Sequence, residues 1–241
     1  MRSSAASDVY KRQVVNNTGT ISGVGMGMQS SNVDNSTITN HGTISASSNS
    51  GYGLLYENDG TNRVNNTLNN YGTISATSGS FADGIGIGRG AFAMFNITIN
   101  NYGTISGSDD SIRMLNSSNT GINIVTKDEG TYVGEINLND SSTTMTLDCS
   151  ISKDQKIEIH NKTNMVVTNN LCGNDTYEIL DSNSDPDADN SETNGFLYVY
   201  GEDLDIDSHN KKYRSEIFLS NLNDIFNSVS EEKKSSGYYS V

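Results

Sequence analysis

Oxygen-bearing side chains alternate along one short acidic stretch: Asp181, Asn183, Asp185, Asp187 and Asp189, with Glu192 closing the run at its twelfth position. An EF-hand loop sets its calcium ligands at these positions, because a hard cation needs several oxygens converging on one point. The sixth position of such a loop requires glycine for a sharp turn. Here it is Pro186, whose ring holds φ negative. The flanks at 176–180 and 196–200 alternate as strands do, where an EF-hand needs helices. The stretch reads as a solvated acidic loop, with a weak, irregular calcium site as the alternative. No other cofactor is implied.

Paired carboxylates on one face can hydrolyse glycosidic bonds, and the adjacent pairs Asp109-Asp110 and Asp128-Glu129 supply the residue types. Both read as loop residues without a visible partner, and Asp109 and Asp110 as turn formers. His41, His160 and His209 are far apart in sequence, and there is no Gly-x-Ser-x-Gly nucleophile turn. Gly84-Ile85-Gly86-Ile87-Gly88 lacks the strand–turn–helix setting of a dinucleotide fingerprint and reads as a glycine-rich strand. No catalytic, cofactor-binding or firm metal site emerges.

What must position these residues is a repeat. Asn-x-Gly-Thr-Ile-Ser occurs at 17–22, 40–45, 70–75 and 101–106, with an apolar residue (Val15, Ile38, Leu68, Ile99) six positions before each isoleucine. Self-similarity with a period of about 23–31 residues marks a stacked solenoid. Each unit predicts three short strands. The first carries the leading apolar residue, and the second is Gly-Thr-Ile-Ser. The third is glycine-rich, at 23–28, 51–56, 84–88 and 121–125. Alternation sends Ile21, Ile44, Ile74 and Ile105 inward and the flanking Thr and Ser outward. Asn17, Asn40, Asn70 and Asn101, with Gly19, Gly42, Gly72 and Gly103, turn the corner between strands one and two, since both residue types tolerate positive φ. The asparagines then stack as an amide ladder, with Thr18, His41, Tyr71 and Tyr102 stacked beside them. Constant strands with loops of varying length, such as 57–62 and 78–83, require in-register parallel coils. The fold class expected is all-β, a single-stranded right-handed parallel β-helix.

The ends differ. Residues 3–13 resemble translated sequencing-adapter sequence, and 1–13 are set aside as a non-native leader. The β-helix is assigned to 14–172, with later strands at 132–138, 143–147, 156–160 and 165–168. An acidic β-rich cap follows at 173–213. Residues 214–241 carry Phe218, Leu222, Ile225, Phe226 and Val229 at helical spacing, an amphipathic helix with Ser220 as N-cap and a frayed tail. Cys149 and Cys172 are separated by the shortest coil interval, so a persisting period would set them on adjacent rungs. A strand spacing of about 4.8 Å suits a disulfide. Free thiols are nonetheless the favoured reading, because the repeat has decayed there, with the disulfide as the alternative.

Composition narrows the partners. The formal charge is −14 and only 33% of residues are hydrophobic, thin material for a globular core but enough for a solenoid interior. The acidic excess is concentrated after Thr126 and argues against nucleic acid, which needs a basic footprint, and against anionic lipid.

The run Ile99-Asn100-Asn101-Tyr102-Gly103-Thr104-Ile105-Ser106-Gly107 resembles the β-helix repeats of bacterial autotransporter passengers. Residues 134–138 and 174–180 are similar to the later coils and cap of such passengers. The resemblance covers about 14–222. It implies a passenger displayed at the bacterial cell surface or released outside it, exported through an oxidising periplasm that would permit a disulfide. The C-terminal translocator β-barrel that the family implies is absent from this chain. The function expected is non-catalytic adhesion, aggregation or host interaction, with host glycans, host proteins or self-association as partners. The alternatives are an inert stalk for a missing N-terminal domain and a carbohydrate-active β-helix of the tail-spike or polysaccharide lyase or hydrolase type.

Overall fold

The computed structural model describes residues 12–58, 63–90, 92–139, 141–151, 155–173, 175–181 and 195–200. The leader up to residue 11, the acidic loop from residue 182 to 194 and the expected helix at 214–241 lie outside the described residues. What is described is all-β: six stacked parallel coils, a parallel β-solenoid.

Coil one runs through β1 (Val14–Asn17), β2 (Thr20–Gly23) and β3 (Met26–Ser31), and coil two through β4 (Thr37–Asn40), β5 (Thr43–Ala46) and β6 (Tyr52–Glu57). Coil three adds a short lead-in, β7 (Arg63–Val64), before β8 (Thr67–Asn70), β9 (Thr73–Ala76) and β10 (Asp83–Arg89). Coil four has β11 (Met94–Phe95), β12 (Thr98–Asn101) and the long β13 (Thr104–Met114), which covers the second and third faces without a break. Coils five and six use two strands each: β14 (Thr120–Thr126) with β15 (Thr131–Asn137), then β16 (Ser142–Leu147) with β17 (Gln155–His160). After β18 (Met165–Asn169) the direction changes. The strands β19 (Thr176–Asp181) and β20 (Gly195–Tyr200) pair antiparallel to each other, and β20 pairs antiparallel to β17, ending the parallel stack on that face.

Three interior columns explain why this sequence stacks. On the first face Val15, Ile38, Leu68, Ile99, Ile124, Met145 and Val167 are register partners in series. On the second the series is Ile21, Ile44, Ile74, Ile105 and Tyr132. On the third it is Met28, Leu54, Ile85, Ile112, Ile136 and Ile159. From coil two to coil five the aliphatic members are buried in one continuous core, each contributing roughly 1.5–3 kcal/mol. Residues 121–125 differ from the sequence reading. They lie in β14 on the first face, pairing with β12, while the third strand of coil four is the end of β13.

The corner also works differently from the sequence expectation. Positive φ occurs not at Asn17, Asn40, Asn70 and Asn101 or their glycines but two residues before the first strands of coils one to four, at Arg12 (62°), Asn35 (53°), Asn65 (60°) and Asn96 (53°), and at Gly121 (67°) near the start of β14. The corner asparagines serve as the ladder. Asn17 Nδ2 donates to Asn40 Oδ1 (2.8 Å), Asn40 to Asn70 (2.9 Å) and Asn70 to Asn101 (2.9 Å). The corner glycines are selected by close approach: a Cβ on Gly42, Gly72 or Gly103 would stand 2.0–2.2 Å from the carbonyl oxygen of the preceding corner glycine. A second amide ladder, Asn35–Asn65–Asn96, runs along the positive-φ corner.

Candidate functional site

Ionisable side chains converge on the third face, where coils three to six meet. Asp83 opens β10, and Asp109, Asp110 and Arg113 come from β13. Gly107 lets the chain pinch there, since a Cβ on it would lie 1.9 Å from the Asp110 carbonyl oxygen. The pairing of β13 with β15 slips on both sides of Asp110, a bulge that sets Asp110 opposite Glu135. Gly134, at φ 92°, makes room for the bulge, because a Cβ there would sit 2.7 Å from the Asp109 carbonyl oxygen.

The guanidinium of Arg113 stands among three carboxylates. Its Nη1 is 2.9 Å from Asp109 Oδ2 and 3.5 Å from Asp83 Oδ1, and its Nε is 3.1 Å from Asp110 Oδ2. Asp110 Oδ2 is buried without an aligned hydrogen bond, so its attraction to Nε is Coulombic rather than directional. The backbone N–H of Asp110 donates to Asp83 Oδ1 at 3.3 Å. The side chains of Asp83 and Asp110 are 2% and 3% exposed, those of Asp109 and Arg113 33%. Below them, His160 Nε2 lies 2.9 Å from Glu135 Oε2.

Burial sets the titration. It raises Asp83 to about 6, against the opposing pull of Arg113, and raises Asp110 to about 7, with Arg113 again opposing and Asp83 adding to the rise. Arg113 itself is raised: burial would lower it, but Asp110, Asp83 and Asp109 outweigh burial. His160 is raised by its hydrogen bond to Glu135. Oxygens of Asp83, Asp109 and Asp110 lie within 4.8 Å of one another, a spacing that could hold a cation. The positive charge already standing there is Arg113. With Asp83 and Asp110 closed to bulk substrate, the arrangement is suited to sharing protons and joining coils.

The residues singled out from sequence are distributed as follows. Asp109 and Asp110 lie in a strand, not in loops, and are partnered. Asp128 (φ 47°) lies in the loop between β14 and β15, its backbone N–H donating to Ser150 Oγ at 3.0 Å. His41 stacks on Tyr71 (centroids 4.7 Å, 6° between planes) and Tyr71 on Tyr102 (4.3 Å, 14°), with Lys127 Nζ 5.5 Å from the Tyr102 centroid. Residues 84–88 lie in solenoid strand β10. Cys149 and Cys172 are joined as a disulfide across adjacent coils, their Cα atoms 4.7 Å apart. Asp181 ends β19, and the remaining calcium-loop positions, Asn183 to Glu192, lie outside the described residues, as does His209.

Arg113 and the Asp83–Asp110 pairing escaped the sequence reading. The signal was present once 83–87 is set above 110–114. Ile85 then matches Ile112, and Gly86 matches Arg113. No family model matches this chain, and neither the curated proteins nor the solved structures contain a match to it.

Proposed function

We propose that this chain is a surface-displayed, non-catalytic β-helical passenger segment, of autotransporter type, acting by multivalent contact in adhesion, aggregation or host interaction. The observation that carries this reading is the outward array. Thr20, Thr43, Thr73, Thr104 and Thr131 repeat in strict register on the second face, with Ser22, Ser45 and Ser75 beside them. One polar group per coil, about 4.8 Å apart, on a stiff support suits many weak contacts made together. Linked contacts of this kind gain orders of magnitude in avidity without any single strong site. The place of action is the bacterial cell surface or the medium outside it, with host glycans, host proteins or a neighbouring copy as partner.

The test compares valency. Beads carrying many copies, and the free protein, are applied to mucin-coated and fibronectin-coated surfaces. Retention of the beads with weak binding of free protein is the expected result. Equal, saturable binding of free protein would point to a single pocket instead, and no retention on either surface would favour the inert stalk. The carbohydrate-active alternative needs carboxylates open to a sugar chain, whereas Asp83 and Asp110 are enclosed. New reducing ends from a polysaccharide panel, lost in Asp109→Asn, would reinstate it.

A further inference from the structure

Coil one carries the same repeat block as coils two to four, yet one side of it is bare. β1, β2 and β3 pair with coil two, and among the described residues nothing pairs with their other edge. Val15 and Ile21 are half-exposed, although their column partners Ile38 and Ile44 are buried. A cavity of about 240 Å³, with Val15, Met28, Val33 and Ile38 in its lining, opens between β1 and β3. Unpaired strand edges over an apolar interior are a template for another strand-bearing element.

Gly19 shows what that element is. Gly42, Gly72 and Gly103 must be glycine because a Cβ would strike the preceding coil, at 2.0, 2.0 and 2.2 Å from its corner carbonyl. At Gly19, among the described residues, nothing lies within 4 Å of a Cβ, and its φ is outside the left-handed region. Gly51 and Gly25 repeat the contrast: a Cβ on Gly51 would meet the Gly25 carbonyl at 2.8 Å, and one on Gly25 would meet nothing. The physical reason for glycine at 19 is therefore supplied only by a coil stacked ahead of coil one.

We propose that the N-terminal face of coil one is a docking surface for one further parallel coil of this repeat. That coil sets a glycine over Gly19, fills the cavity with its apolar residues and donates an asparagine amide to Asn17 Oδ1. A second copy of the chain is a poorer occupant. Its far end is closed on the third face by β20, which runs antiparallel to β17. This inference is independent of the adhesive reading.

The test duplicates residues 14–36 between Gln13 and Val14, which adds one coil in register. Thermal unfolding of the extended chain is expected to rise by about 5 °C or more, because repeat arrays gain stability from each added interface. In the unextended chain Gly19→Ala leaves Tm within about 1 °C, whereas Gly42→Ala lowers it by about 5 °C. In the extended chain, Gly19→Ala at the original position removes most of the gain. An unchanged Tm on extension overturns the proposal, as does equal damage from Gly19→Ala and Gly42→Ala in the unextended chain. A sedimenting dimer of the unextended chain that Gly19→Ala dissociates would assign the face to a second copy and overturn it too.

Discussion

Two devices bind coil to coil in this molecule, and they obey different rules. At the first corner, Asn17, Asn40, Asn70 and Asn101 pass a hydrogen bond from each coil to the next. An amide is donor and acceptor at once, so every rung satisfies its neighbours and the ladder can extend indefinitely. On the third face the link is charge: Arg113, held by Asp109 and Asp110 of its own strand, reaches Asp83 from coil four to coil three, and His160 reaches Glu135 from coil six to coil five. A charged column cannot repeat one residue type, because like charges one strand apart repel. It must alternate, and here it has too few cations. The neutral device propagates, while the charged one fixes a particular set of coils and makes their union depend on pH.

Removing the cation should do the most damage. Arg113→Met leaves Asp83 and Asp110 buried without their counter-charge, a loss of about 3–5 kcal/mol at neutral pH in urea unfolding. If the cost is below about 1 kcal/mol, the column is not a coil-to-coil device. Next, reduction of Cys149–Cys172 opens a loop spanning 23 residues and should cost about 3 kcal/mol. Two free thiols in unfolded, unreduced protein would remove that pairing altogether.

The pH effect is similar in size and unusual in direction. Asp83 and Asp110 titrate at about 6 and 7 in the folded chain, above the ordinary aspartate value near 3.9. The folded state thus holds these protons more tightly than the unfolded one. Their contribution is complete below about pH 4 and is lost as pH rises through 6 and 7. His160, also raised, acts in the same direction. Stability should therefore be about 3 kcal/mol greater at pH 5 than at pH 8, with Asp83→Asn/Asp110→Asn flattening the profile. A maximum above pH 7 would contradict the column's geometry.

The neutral ladder should show position rather than pH. Asn70→Ala interrupts it in mid-run and should cost about 2 kcal/mol, against about 1 kcal/mol for Asn17→Ala at its end. Equal costs would mean that the asparagines act singly. The smallest effect is a gain. Tyr56 is wholly buried, burial raises its titration, and its hydroxyl has no hydrogen-bond partner among the described residues. Tyr56→Phe should stabilise by about 1 kcal/mol, measured in the same urea unfolding.

The neutral device was the more legible of the two in the sequence. The invariant distance from Val15, Ile38, Leu68 or Ile99 to the following isoleucine reveals the first two columns, because period-two alternation translates directly into facing. The aromatic stack at His41, Tyr71 and Tyr102 follows from adjacency to the ladder. The charged column stayed hidden because Asp83 follows a loop whereas Asp110 lies inside the unbroken strand β13, and only the third-face register brings them level. The placement of 121–125 failed for a related reason. Coil four runs its second and third faces as one strand, so no loop announces the transition. Ladder asparagines at a visible corner suggested turn formers, yet the left-handed residues were Asn35, Asn65 and Asn96, whose role depends on backbone geometry that composition does not display.

The parallel stacking has a mechanical consequence. In a parallel stack the strand-to-strand hydrogen bonds run along the stack axis, so a pull along that axis opens one coil at a time rather than shearing several together. A coil spaced 30 residues from the next advances the stack by about 4.8 Å when folded and reaches about 100 Å when drawn out. A tether built this way yields in steps of some twentyfold extension and can re-form when slack returns. The Cys149–Cys172 bond would hold back the residues it encloses, leaving the amide-laddered coils as the part that gives.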